Sequence, residues 1–274
     1  MTAESHQAAF YDRHWEHTST AADPHIVAKG DLVLRLVPAG VRTIVDIGCG
    51  DGYLTHRLAE HHQVTAVDRS QVALQRLRRL RAPDLAGVIE ASADAIPLPD
   101  RAADLVFSSQ MLEHLPEDVL RGAAREMQRL ADRHLLVTVP HRETLRRRYA
   151  RCSACGLEFH IDGHLHAFDA AALDRLFPDF ERVHTEFAGP LEPPAYTSVE
   201  WLRQHLCRHW WMWDSLKIAC PRCGETSLRK PRRGPLRRAA ERGLDRFTEF
   251  WSRREGRVPE PYWIITLYRR KAST

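Results

Sequence analysis

The chain has 274 residues, 43% of them hydrophobic and 28% charged, with a formal net charge of only +4. That composition is ample for a buried core and fits one elaborated domain, or a domain with a small satellite. No apolar run approaches the ~20 residues of a membrane span, and no internal repeat or long low-complexity tract is present. The polar start, Met1 to Gln7, lacks the apolar stretch of a secretory signal, so a cytoplasmic protein with reduced cysteines is expected.

In chain order, Ala8–Trp15 and Ile26–Leu36 read as two helices around a polar, proline-containing loop, with Phe10, Tyr11 and Trp15 as an apolar underside. β-type runs then follow at 43–47, 64–67, 87–91, 104–108 and 134–139, with helical stretches between them, clearest at 70–80 and 117–130. Strands alternating with helices imply a mostly parallel sheet covered on both faces. Glu181–Phe187 reads as a sixth strand and Tyr262–Tyr268 as a seventh.

The most informative segment is Val-Asp-Ile-Gly-Cys-Gly-Asp-Gly, residues 45–52. A buried strand runs straight into a glycine turn and then a helix-compatible stretch, Tyr53–Ala59. Glycine lets the chain turn sharply and lets a ligand lie against bare backbone, and the free N–H groups of a helix start favour an anionic group. Asp46 precedes the first glycine by two residues. Asp68 closes the second strand, ~20 residues beyond the turn, where nucleotide-binding α/β folds hold a ribose diol. Ala93-Asp94-Ala95-Ile96-Pro97-Leu98 follows the third strand, and Ser109-Gln110-Met111-Leu112-Glu113-His114-Leu115 follows the fourth.

The turn is G-x-G-x-G rather than the dinucleotide G-x-G-x-x-G. With Asp46 it resembles the first motif of class I S-adenosylmethionine-dependent methyltransferases. The segment at 93–98 is similar to that family's D-A-x-x-L-P element, and 111–115 to the V-L-E-H-L turn of the subgroup containing ubiquinone-type and many small-molecule methyltransferases. The resemblance covers residues ~40 to 140 in family order. It implies a seven-stranded, mostly parallel doubly wound (Rossmann-like) α/β sheet with the last strand antiparallel, beneath an N-terminal helical lid. It also implies an S-adenosylmethionine site drawn from Asp46, Gly48, Cys49, Gly50, Asp68, Arg69, Asp94, Ala95 and Gln110. In that site Asp46 meets the cofactor's ammonium group, Asp68 the ribose and Asp94 the adenine amine. The Cys49 side chain itself, like that of Cys207 on an expected helix, reads as packing.

Two segments exceed what such a fold needs: 141–168 after the fifth strand and 190–258 between the sixth and seventh. Both leave the sheet at the carboxyl edge, where ligands of doubly wound folds bind, and so form a candidate substrate cap. The expected organisation is a lid at 1–38, the cofactor-binding core at 39–140, cap insertions at 141–168 and 190–258, a core helix and strand at 169–189, and the last strand at 259–274. Four of the six cysteines fall as Cys152-Ser-Ala-Cys155-Gly and Cys220-Pro-Arg-Cys223-Gly, one pair per insertion. A C-x-x-C-G turn aims two thiolates at one ion, and two such turns make a closed Cys₄ set suited to structural Zn²⁺. The 64 residues between Cys155 and Cys220 exceed ordinary zinc-ribbon spacing. Disulfides, a redox pair and unrelated thiols are the competing readings.

Methyl transfer from a sulfonium needs alignment of the acceptor, and removal of a proton when that acceptor is a hydroxyl or protonated amine. His114 and His141 follow the fourth and fifth strands and are the candidate acceptor-side residues, with Glu113 beside them. His160, His164 and His166 could supply the base, a second metal or ordinary packing. The N/D-P-P-Y/F signature of amino-directed nucleic-acid methyltransferases is absent, which counts against an exocyclic base amine and leaves hydroxyl, small-molecule amine and carbon acceptors open. A small molecule such as a natural-product or sugar-containing intermediate is the expected acceptor. The arginine runs at 146–151 and 229–242 keep an RNA acceptor as the rival, since clustered Arg suits phosphate; a non-catalytic cofactor-binding regulator is the third reading. Trp201, Trp210, Trp211 and Trp213 could stack an acceptor, glue the cap to its domain or form a dimer face.

Overall fold

The computed structural model describes residues 24–80, 84–210, 219–226 and 234–272. Phe10, Tyr11, Trp15, Trp211 and Trp213 lie outside these. Helix α1 (Pro24–Leu36) leads into β1 (Thr43–Ile47), α2 (Tyr53–Leu58), β2 (Gln63–Asp68), α3 (Gln71–Arg79), β3 (Leu85–Glu90) and β4 (Ala103–Ser109). Then come a 3₁₀ turn (Leu112–His114), α4 (Glu117–Leu130), β5 (Ala131–Pro140) and a second 3₁₀ turn (Leu145–Arg148). A hairpin of β6 (Tyr149–Arg151) and β7 (Glu158–His160), then α5 (Ala170–Leu176), β8 (Phe180–Glu192), α6 (Thr197–His205), α7 (Pro235–Glu255) and β9 (Glu260–Arg270), complete the described chain.

Seven strands form one sheet in the order β3-β2-β1-β4-β5-β9-β8. The first five are mutually parallel, while β9 runs antiparallel to both β5 and β8. This is the expected Rossmann-like architecture. The central strands carry apolar side chains on both faces, as covered parallel sheets require. Alternation sends Val45 and Val106 to one side, against Leu120, Ala124 and Met127 of α4 and Leu173 of α5. It sends Ile44 and Leu105 to the other, against Val33 of α1 and Leu58 of α2. Ser70 and Asp169 cap α3 and α5 by accepting the N–H groups of Ala73 and Ala172.

The register places every β-to-α turn of the parallel strands at one edge. β8 continues well past Phe187, so the second insertion leaves the sheet later than its sequence pattern implied. Its exposed edge carries Glu181, Arg182 and Glu186, charges that discourage pairing with another strand. Cys207 is fully buried but sits just beyond the end of α6 rather than on it. Among the described residues no helix is long and apolar enough to cross a membrane.

Candidate active site

The glycine turn is held from behind by β2: the N–H groups of Gly48 and Cys49 both donate to the Val67 carbonyl, at 2.8 and 3.2 Å. Gly48 and Gly52 have φ of +76° and +82°. A Cβ on Gly52 would lie 2.3 Å from Leu77 Cδ1, so the turn is shaped against α3 as well as by its own dihedrals. Asp68 reaches back into the turn. One carboxylate oxygen accepts the Gly50 N–H at 2.9 Å and the other the Ser70 N–H at 2.8 Å, which fixes the carboxylate while leaving lone pairs for hydroxyl donors. Asp46 is 2% exposed and accepts the Thr55 hydroxyl at 2.6 Å. Burial pushes its pKa up to about 7 against that hydrogen bond, with Asp68 adding to the rise.

Asp94 accepts the Ser92 hydroxyl. Its loop is pinned to α4 by Arg129, which donates to the carbonyls of Leu98 and Ile96 at 2.7 and 3.0 Å, and by Glu126, which accepts the Ile96 N–H at 2.9 Å. Gln110 has φ +55°; its side-chain oxygen accepts the Trp263 indole N–H at 3.0 Å, joining the β4 turn to β9. Asp46, Gly48, Cys49, Gly50, Asp68, Arg69, Asp94, Ala95 and Gln110 thus lie at the carboxyl edge of β1, β2, β3 and β4. An S-adenosylmethionine site fits this donor set, with a buried carboxylate at the turn, a second with spare lone pairs and a left-handed glycine run. The positioning contacts from Arg129 and Trp263 were not apparent from sequence because each joins elements distant along the chain, and that from Thr55, nine residues beyond Asp46, because nothing local marks it as a donor.

Beyond β5, His141 donates its backbone N–H to the Tyr262 carbonyl at 2.8 Å, and its imidazole lies 3.6 Å from Glu260. Burial holds the imidazole below the ordinary histidine range, so it is neutral near pH 7 and able to accept a proton. It lines a cleft of about 420 Å³ together with Glu143, Arg148, Tyr196 and Tyr262. The arginine run is consumed internally. Arg146 pairs with Glu158 at 3.0 Å, Arg147 with Glu192 at 2.8 Å, and Arg148 with Asp162 and Glu192 at 3.2 and 3.3 Å.

Glu143, which sequence reading passed over, organises two of the three histidines. Its oxygens accept from His160 Nε2 at 3.2 Å and His164 Nδ1 at 2.5 Å. His160 Nδ1 takes the N–H groups of Asp162 and His164, which fixes the tautomer that donates to Glu143. Despite burial, these two bonds hold Glu143 well below the usual carboxylate range. His164 packs edge-on against His114, with ring centroids 4.7 Å apart. His166 stands apart, bound through Nε2 to the Leu115 carbonyl at 2.8 Å. Glu113 is fully buried; its backbone carbonyl accepts the Leu165 N–H at 2.7 Å, while its carboxylate oxygens have no hydrogen-bond partner.

The cysteines of the two insertions meet. Cys152 Sγ lies 3.6 Å from Cys223 Sγ, and Cys155 Sγ 3.6 Å from Cys220 Sγ. The two knuckles have the same internal wiring. Cys152 and Cys220 donate their N–H groups to Leu157 and Glu225, and Gly156 and Gly224, with φ of +72° and +73°, donate back to Cys152 and Cys220. Four thiolates at about 2.3 Å from one ion form a tetrahedron with edges near ~3.8 Å. The two pairs at 3.6 Å match it, and all four sulfurs lie within 4.8 Å of one another, so the donor set fits Zn²⁺. Trp201 is half exposed and stacks on His205, while Trp210 is buried.

Residues 44–133 match the family model described as "Methyltransferase domain". Over 106 residues the chain is 41% identical to a malonyl-[acyl-carrier protein] O-methyltransferase of Halorhodospira halophila, covering 36% of this chain and 35% of that one. Over 122 residues it is 31% identical to the 27-O-demethylrifamycin SV methyltransferase of Amycolatopsis mediterranei, covering 41% and 44%. The chain spans less than half the length of these curated relatives. The fold is shared with the N-methyltransferase NodS of Bradyrhizobium japonicum in complex with S-adenosyl-L-homocysteine, at TM-score 0.55 and 18% identity over 68% of this chain and 92% of that one. The core of this chain is a class I S-adenosylmethionine-dependent methyltransferase domain.

Proposed function

We propose that the chain methylates a small-molecule acceptor that enters the cleft between the sheet edge and the cap. The observation that carries this reading is that cleft: it is within the size range of small-ligand sites, and its Arg142, Arg147, Arg148 and Arg257 already pair with Glu260, Glu192, Asp162 and Glu255 rather than facing a phosphate backbone. Of the curated relatives quoted above, one is named as a malonyl-[acyl-carrier protein] O-methyltransferase and the other as a 27-O-demethylrifamycin SV methyltransferase.

S-adenosylmethionine, when bound, supplies an electrophilic methyl group. Asp46 faces its ammonium group, Asp68 its ribose and Asp94 its adenine, with Arg69, Gln110 and the backbone of Gly48 to Gly50 and Ala95 closing the site. His141, neutral and lining the cleft, takes the proton of a hydroxyl or amine acceptor, with His114 on the same side. Cys152, Cys155, Cys220 and Cys223 would hold one structural zinc that ties the insertions together, a closed set with no position for water. The enzyme acts in the cytoplasm, where the thiols stay reduced.

The test is to incubate the protein with methyl-labelled cofactor, a low-molecular-weight metabolite pool and total RNA. Label in the small-molecule fraction is expected, and His141→Gln should remove most of it and displace the acid limb of the pH profile. Label confined to RNA would overturn the acceptor class in favour of the RNA reading.

A further inference from the structure

Glu113 presents a problem of buried charge. A carboxylate fully removed from water ordinarily accepts hydrogen bonds or meets a cation, yet neither oxygen of Glu113 has a hydrogen-bond partner. Lys29 acts on it through space, while its ammonium group donates to the Ser109 hydroxyl at 3.4 Å and lies over the Trp263 ring. Two imidazoles stand beside it instead. One carboxylate oxygen of Glu113 and one ring nitrogen each of His114 and His164 lie within 4.8 Å of one another.

The second imidazole is prepared in a particular way. His164 gives Nδ1–H to Glu143, and Glu143 is itself steadied by His160. A carboxylate that holds one ring nitrogen orients the ring, so the other nitrogen can bind an ion by giving up any proton it carries. This carboxylate–histidine arrangement is the usual support of a metal-bound imidazole. His160 cannot play the same part, since its Nδ1 accepts two backbone N–H groups and its Nε2 donates to Glu143.

We propose that Glu113, His114 and His164 bind one divalent first-row transition metal, separate from the four-cysteine cluster, with Glu143 as its orienting carboxylate. Ligands at about 2.1 Å from an ion lie at most ~4.2 Å apart, so adjustments of under an ångström close the set. Two imidazoles and one carboxylate suit Zn²⁺, Fe²⁺ or Co²⁺ and leave coordination positions open. An open position accepts water or an oxygen of the substrate, and a metal-bound hydroxyl loses its proton more readily. This deepens the proposed function and rests on its placement of the acceptor in the cleft that Glu143 lines, with His114 on the same side: it assigns the acceptor to the oxygen-bearing class.

The experiment is a Co²⁺ titration of the full-length protein isolated with its zinc in place, read by visible absorption and elemental analysis, with S-adenosylhomocysteine affinity measured on the same samples. One additional equivalent of Co²⁺ is expected, with weak d–d bands and none of the intense near-ultraviolet bands of thiolate ligation. Glu113→Gln should weaken binding at least tenfold, and Glu143→Gln by about 10–100-fold through loss of orientation. Retained S-adenosylhomocysteine affinity in both variants verifies that they fold. Thiolate-type bands only, no second equivalent, or unchanged Co²⁺ affinity in Glu113→Gln would overturn the site. Cofactor binding without metal would leave the methyl-transfer reading standing; metal binding with label only in RNA would remove that reading and keep the site.

Discussion

Asp46→Asn separates the energetic cost of the cofactor site from its function. The carboxylate is 2% exposed, and its pKa lies near 7 instead of near 3.8, chiefly because burial penalises the charge. At about 1.36 kcal/mol per pH unit, the folded protein above pH 7 carries a penalty of up to ~4 kcal/mol at this residue. A folded-state pKa above the unfolded one means that the native state binds the proton more tightly. The penalty is therefore absent below about pH 4, grows as pH rises through 4 to 7, and is constant above. Asparagine is almost isosteric, still accepts the Thr55 hydroxyl and carries no charge. Ligand-free Asp46→Asn should thus melt several degrees above the parent at pH 8, at about 2–4 °C per kcal/mol, with the gap narrowing toward pH 5. Its S-adenosylmethionine affinity should fall by at least tenfold, because the ammonium group loses its counter-charge. Differential scanning fluorimetry at the two pH values and calorimetry supply both numbers. A variant that melts lower at pH 8 would refute the burial argument, and unchanged cofactor affinity would refute the assignment of Asp46.

Asp68→Ala should cost more affinity than Asp46→Asn, since each charged bond to a ribose hydroxyl is worth about 1.5–3 kcal/mol, and it also strips the Gly50 and Ser70 N–H groups of their acceptor; calorimetry with S-adenosylhomocysteine reads this. Cys220→Ser should lower zinc content well below one equivalent by elemental analysis and reduce turnover while cofactor binding persists, because the sheet buries its own core independently of the cap. Gly52→Ala places a Cβ 2.3 Å from Leu77 Cδ1 at φ +82°, so a melting temperature within a degree of the parent would contradict the described turn.

The parallel core was legible because its signals are local. Thr43–Ile47 is a β-branched run that ends on glycines, and Asp68, Asp94 and the Glu113-His114 turn sit at strand ends whose spacing a doubly wound sheet dictates. The knuckles were equally legible as turns, since C-x-x-C-G encodes its own geometry; their meeting follows from where β5 and β8 leave the sheet. What stayed hidden depends on side chains that meet only after folding. Trp263 reaches Gln110 across 153 positions, and nothing around Thr55 on α2 marks it as the donor to Asp46. The arginines at 146–148 looked like a phosphate site because sequence displays charge and not its neutralisation by Glu158, Asp162 and Glu192. Glu143 was passed over for a related reason: its importance lies in two histidines 17 and 21 positions later.

The position of β9 imposes an order on biosynthesis. This strand is made after all other described strands, yet it lies between β5 and β8 and supplies hydrogen bonds to both. Until residues 260–270 leave the ribosome, β5 has an open, strongly apolar edge and β8 has nothing to pair with. The nascent chain must therefore shelter that edge for as long as it takes to translate the cap insertion. Such late, non-local pairing slows folding and exposes an aggregation-prone edge. A stalled or prematurely terminated product lacking these residues should be insoluble even though every residue of the cofactor site has been made.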